Sequence, residues 1–284
     1  MFSQWNSFKD HSSPYITGNS FAAMCAHVWN YNGYKKNRKS RNKNWVFIKT
    51  DYISSFFSKV RLNKPFVVFT HNSDFPINES HIKYIEDSRV LVWFAQNVAF
   101  HHPKLKPIPI GIANFGYAHG DISVLNKKRS ENNVKETLLY ANFNVGNNRA
   151  EREYCLQQTG VQMRDCVNGG WDGFAGGYKV PTTFEGYLGD LSRSYFCLSP
   201  QGNGIDCHRT WEALYMGCIP IVTKSAIVEA HKDMPILILD DWAEFKTINF
   251  CKELYHDLWN NFDRENLHFD SYLRRIMNKI PPLH

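Results

Sequence analysis

The residues best placed to do chemistry lie between Tyr195 and Thr223, in the run YFCLSPQGNGIDCHRTWEALYMGCIPIVT. Ser199, Pro200, Gly202, Asn203 and Gly204 belong to a loop in which two glycines let backbone amides come close to a ligand. The loop opens a helix expected over His208 to Met216, with Asp206 placed to cap it and Gly217 to stop it. Free amides and the positive end of the helix dipole make such a start an anion site. His208 and Arg209 add donors in the first turn, and the planar fork of Arg209 matches two oxygens of a diphosphate. Glu212, one turn on, is positioned to accept from sugar hydroxyls. The pattern reads as a nucleotide-diphosphate site; a tight connection is the bland alternative for any glycine loop.

The elements around this loop form a βαβ unit, with strands expected at Tyr195 to Ser199 and Ile219 to Thr223. A second strand-loop-helix unit precedes it. Thr137 to Phe143 reads as a strand, Asn144 to Asn148 as a loop, and Arg149 to Thr159 as a helix closed by Gly160. Arg149 stands where a phosphate would sit, or makes a surface salt bridge. Between these units NGGWDGFAGGYKV (168–180) holds five glycines, a loop that either moves or is shaped around a ligand. Trp171 or Tyr178 packs there on a base or sugar, or on its own domain. Thr182 with Glu185 reads as a capping box for the helix ending near Arg193.

The run from Leu191 through Ser192, Ser194, Phe196, Cys197, Leu198, Pro200, Gly202 and Gly204 to Arg209, Trp211, Glu212, Ala213, Leu214, Gly217, Cys218, Ile219 and Pro220 resembles the exostosin-like glycosyltransferase signature. The likeness is dense there and weak elsewhere. It implies a GT-B fold, in which two Rossmann-like domains with parallel sheets face an interdomain cleft. It also implies a UDP-sugar held by the second domain and inversion at the anomeric carbon without a metal. The compact form is similar to members encoded by large algal viruses. That likeness makes UDP-xylose the leading donor and a hydroxyl of a glycan, such as fucose in a viral capsid glycan, the expected acceptor.

In the first half, strands are expected at Trp45 to Thr50, Phe66 to Thr70, Val90 to Ala95 and Ile108 to Ile112. Helices are expected at Phe21 to Trp29, Tyr52 to Val60 and Ser80 to Ser88. Alternation of this kind gives a parallel sheet with ligands beyond the strands' carboxyl ends. Inversion needs a base for the acceptor hydroxyl. Asp74, after the most apolar strand, is the first choice, with His71, Asp51 and His101 behind it. A turn or helix cap before Pro76 is the alternative role for Asp74. The expected division is residues 1–115 as the acceptor domain, 116–136 as a polar linker and 137–263 as the donor domain. A helix at about 264–284 is expected to pack back on the first domain.

Composition narrows the alternatives. With 43% hydrophobic residues in 284 the chain is globular and long enough for two cores. The net charge of +6 gathers in KKNRKSRNK (35–43), which reads as a solvated loop and not as a nucleic-acid site. Seven cysteines without CxxC spacing argue for free thiols, and no run is long and apolar enough to span a bilayer. The chain is therefore expected to be a cytoplasmic protein without a transmembrane segment, in the host cytoplasm if viral. Asp240 and Asp241 superficially resemble a metal-holding pair but end a late strand, so no metal site is assigned. Neither GxSxG nor HExxH is present, and Cys207 beside His208 points a different way on a helix, which leaves no hydrolase signature. A module of the same fold that binds nucleotide sugar or glycan without turnover is the remaining alternative.

Overall fold

The computed structural model describes residues 11–161, 183–260 and 262–281. Contacts divide the chain into two compact units, Met1–Ile110 with Glu265–His284, and Gly111–Arg264.

In the first unit α1 (Gly18–Met24) leads into β1 (Cys25–Asn30), which turns back as β2 (Gly33–Lys36). Then follow β3 (Asn42–Lys49), α2 (Ile53–Lys59), β4 (Phe66–His71), α3 (Ile82–Ile85), β5 (Val90–Ala95) and β6 (Leu105–Pro107). The sheet order is β2-β1-β3-β4-β5-β6, parallel except for the β1–β2 hairpin. Both faces are covered, so the strands are near-continuous apolar runs and not alternating ones. Trp45, Phe47, Val67, Phe69, Val92 and Phe94 share one face with Phe21 of α1. On α2, Phe57 stacks against Trp93, 5.9 Å between centroids.

Two expectations fail in this unit. The helix expected over Phe21 to Trp29 stops at Met24, because Cys25–Asn30 is paired by β2 on one side and β3 on the other. Two ladders satisfy its backbone groups, and that outweighs the helical propensity of the run. No strand covers Ile108 to Ile112. Prolines at 107 and 109 remove ladder donors, and pairing ends at Pro107 with one further bond from Ile108 N to Ala95 O, 3.0 Å.

The second unit contains α4 (Ile122–Ser130), β7 (Thr137–Tyr140), α5 (Arg149–Thr159), α6 (Phe184–Ser192) and β8 (Ser194–Leu198). It continues with α7 (His208–Tyr215), β9 (Ile219–Thr223), α8 (Ala226–Ala230), β10 (Leu237–Leu239) and α9 (Lys252–Trp259). Its sheet, β10-β9-β8-β7, is wholly parallel. Two α/β units, one with a mostly parallel and one with a wholly parallel sheet, are compatible with Rossmann-like domains. The last helix, α10 (Phe269–Met277), belongs to the first unit, where Phe269, Tyr272 and Ile276 enter the core beside Phe21.

Residues 116–136 do not form a linker. The second unit begins at Gly111, and α4 packs on α6 with Leu125 fully buried. Lys127 pairs with Glu185 across that contact at 2.7 Å. The helix before β8 is capped by Thr183, whose Oγ1 accepts from Gly186 N at 3.1 Å, and not by Thr182, which lies outside the described residues. Gly217 closes α7 in the left-handed region at φ 73°, which a Cβ would strain. Among the described residues no helix is long and apolar enough to cross a membrane, and six described cysteines are free.

Candidate functional site

The carboxyl ends of β7 and β8 and the start of α7 carry the richest polar arrangement of the second unit. Ser199 continues β8 through a bond from its amide to Ile221 O, 2.8 Å, and its hydroxyl lies 2.9 Å from that of Thr210. The hydroxyl of Ser199 is thereby spent tying strand to helix. Pro200 is buried, and its carbonyl accepts from the Cys207 thiol at 3.5 Å. Gly202 N donates to Gly204 O at 3.1 Å, which folds the loop back on itself and leaves Asn203 exposed.

Asp206 does not cap α7. The N-cap is Cys207, and the Asp206 carboxylate turns inward to accept from Trp211 Nε1 at 2.9 and 3.0 Å and from Cys207 N at 2.9 Å. The amides at the head of α7 therefore have no side-chain cap, which leaves the dipole end available to an anion.

Two guanidiniums flank the Phe143 ring, that of Arg209 at 5.1 Å and that of Arg152 at 5.5 Å. Arg209 Nε donates to Asn142 O at 3.0 Å, while its Nη1 is buried without a partner. The amide oxygen of Asn142 is likewise buried and unpartnered. Arg152 is 3% exposed; its Nε donates to Gln201 O at 2.9 Å and its Nη1 to Asn144 O. Burial, and then the charge of Arg209, lower its pKa to about 10, so it stays protonated at neutral pH. A Cβ at Gly202 would stand 2.7 Å from Arg152 Nη2, so a larger residue there displaces the guanidinium.

Of the two roles expected for Arg149, the surface salt bridge is the one found. Arg149 is exposed and lies 3.8 Å from Glu153, a surface pair of small energetic weight. Arg152, three residues on, is the one whose guanidinium reaches the glycine loop, through Gln201 O. Asn142 and Phe143 were also missed; they read simply as the end of a strand.

His208 is held by its Nδ1, 2.7 Å from Gly111 O, with the His119 ring 6.0 Å away. Burial and then the charge of His208 push His119 down to about 3, so it is neutral. Glu212 is 2% exposed, and its Oε2 accepts from Tyr187 OH at 2.9 Å. Burial raises its pKa to about 7 against the opposing pull of Tyr187 and Arg209. It is a buried carboxyl bonded to Tyr187, where the sequence reading had an acceptor for sugar hydroxyls. Trp171 and Tyr178 lie outside the described residues. Asp240 pairs with Lys224 at 3.4 Å, while Asp241 accepts from Ala243 N and Tyr154 OH, each at 2.7 Å.

The first unit has its own polar crest at the carboxyl ends of β3, β4 and β5, which the pairings Lys49↔His71 and Thr70↔Ala95 bring side by side. Asn72 and Asn97 follow β4 and β5 in the left-handed region at φ 62° and 55°. Few side chains other than Gly adopt it, and Asn is among them. Asn97 Nδ2 donates to Ser73 O at 3.1 Å, joining the two turns. Among the candidate bases, His71 is buried. Its Nε2 lies 3.1 Å from Pro109 O and Nδ1 accepts from Asn72 N at 2.7 Å, so both nitrogens are engaged. For Asp51, burial is outweighed by bonds from Lys49 and Ser73, which hold the carboxyl below its usual range. Asp74 and His101 are exposed; the backbone carbonyl of Asp74 accepts from Asn97 Nδ2 at 3.4 Å, and its carboxylate faces solvent.

No protein-family model matches the chain, and no curated protein matches it either.

Proposed function

We propose that the chain is an inverting, metal-independent glycosyltransferase of the GT-B kind, with the donor held by the second unit and the acceptor by the first. The observation that carries this reading is the Arg152–Phe143–Arg209 arrangement beside the uncapped start of α7. Two like charges gathered around one ring, one of them with a buried N–H lacking a partner, are poorly compensated until an anion with several oxygens arrives. A nucleoside diphosphate supplies it.

In the proposed reaction an acceptor hydroxyl oxygen attacks C1 of the sugar on the face opposite the diphosphate. The new C–O bond forms as the bond from C1 to the β-phosphate oxygen breaks. The electron pair stays on the departing UDP, where Arg209, Arg152 and the amides of the loop offset its charge. The hydroxyl proton passes to a base, for which Asp74 is proposed because its carboxylate is exposed in the turn after β4. UDP-xylose is the first donor to try and a glycan hydroxyl the acceptor class.

A second reading, a module that binds nucleotide sugar or glycan without turnover, is favoured by one observation: His71 and Asp51 are committed to internal bonds. Thermal shift with UDP, GDP, CMP and UDP-sugars, with EDTA or Mn²⁺, tests the binding half. A ligand at 100 times its Kd adds ~2.7 kcal/mol. UDP stabilisation indifferent to EDTA is expected, and indifference to every nucleotide would overturn the reading. Turnover then separates the two: Asp74→Asn should lower it by ~10²–10⁴ and leave UDP affinity alone. Transfer at the unaltered rate would remove Asp74, and UDP binding without turnover on any acceptor would leave the module.

A further inference from the structure

The charge of this chain is concentrated in one place. Of 33 basic side chains against 27 acidic ones, Lys35, Lys36, Arg38, Lys39, Arg41 and Lys43 lie within nine residues; without them the chain is neutral. Between His11 and Thr50 there is no acidic residue.

The segment is a built turn. It runs from the end of the edge strand β2, which holds Lys35 and Lys36, to the start of β3, which holds Lys43, and is held from beneath by its uncharged residues. Asn37 N donates to Ala26 O at 2.7 Å and Asn37 Nδ2 to Ala23 O at 3.0 Å. Ser40 Oγ and Asn42 Nδ2 both donate to Met24 O, at 2.7 and 3.1 Å. Asn37 and Ser40 are buried, while Lys36, Arg38, Lys39, Arg41 and Lys43 are exposed. Lys43 closes the turn through the carbonyls of Arg38 and Ser40. None of the other five basic side chains has an acidic partner among the described residues. Like charges held this close repel, and a turn serving solubility alone would mix the signs.

We propose that this turn docks the first unit on an anionic membrane surface. A nucleic-acid strand fixes its phosphates along a line and needs a basic groove that tracks them. Here the six cations are gathered in one compact segment of nine residues and not strung along a groove. A bilayer brings mobile anionic headgroups to a compact cluster, and clusters of four to eight Lys/Arg suit that role. Tyr34, 41% exposed on β2 next to Lys35, is of the amphipathic type that favours the headgroup level.

The test is co-sedimentation with vesicles of phosphatidylcholine alone or with phosphatidylserine added. Binding is expected only to the anionic vesicles and should fade at high salt, where screening is short-ranged. Each cation is worth a factor of about five. Lys36→Ser, Arg38→Ser and Lys39→Ser together should therefore weaken binding ~10²-fold, with the UDP response of the second unit unchanged. Lys39→Ser alone should weaken it about five-fold, which keeps the test decisive if the triple variant fails to fold. Equal binding of these variants and the parent chain would overturn the proposal. So would failure to bind anionic vesicles, or a preference for single-stranded RNA over them.

Discussion

Glu212 gives the sharpest quantitative test of the second unit. Its carboxyl is buried, bonded to Tyr187, and raised from 4.5 to about 7. A folded-state pKa above the unfolded one means that the folded state binds the proton more tightly. The carboxyl therefore imposes no penalty below about pH 4.5, and stability falls as pH rises through the window from 4.5 to about 7. Above it the cost is constant at ~3 kcal/mol, a large share of the 5–15 kcal/mol that holds a domain together. Glu212→Gln keeps the volume and the acceptor for Tyr187 and removes the charge. Comparing the two proteins at each pH cancels every other titrating group. The variant should match the parent near pH 4.5 and exceed its Tm by roughly 6–12 °C at pH 8, taking 2–4 °C per kcal/mol. Parallel Tm–pH profiles would refute the reasoning, since burial would not then be holding the proton on. A diphosphate bound at Arg209 should raise the carboxyl further. Calorimetry of UDP binding at pH 7 in two buffers of different ionisation heat should then show proton uptake by the parent and less by the variant.

The remaining tests bear on geometry. Arg152→Met should weaken UDP binding by 10-fold or more and also lower stability, because two loop carbonyls lose their donor, whereas Arg149→Ala should leave both nearly unchanged; titration of UDP against each decides which arginine matters. Gly202→Ala should push the Arg152 guanidinium aside, costing ~1–3 kcal/mol in denaturant unfolding and reducing UDP affinity in step. Gly18→Ala would place a methyl on Asn72 Oδ1 and 2.5 Å from His71 Nδ1; it should destabilise the first unit by a similar ~1–3 kcal/mol while UDP binding to the second is retained.

Much of the framework was legible because local pattern and tertiary pairing agree. Val90–Ala95, Arg149–Thr159 and Ile219–Thr223 have the bounds that apolar runs, Gly160 and Gly217 predict. Where they disagree, pairing wins: Cys25–Asn30 follows a helix-forming stretch but has a strand on either side to join.

At the candidate site the residue types were legible and their partners were not. The sequence by itself determined that a glycine loop with His208 and Arg209 opens a helix in a βαβ unit, since periodicity, glycine and cap signals are local. It also determined that the positive charge gathers at 35–43. Only the tertiary structure decided that Arg152 and not Arg149 faces that loop, that Asp206 serves Trp211, and that Glu212 is buried on Tyr187. Each of these depends on the rotation of a helix against a strand distant in sequence. The physical reason is range. A cap or a turn is settled by neighbours a few residues away, whereas burial and charge balance are settled by whatever the sheet brings alongside.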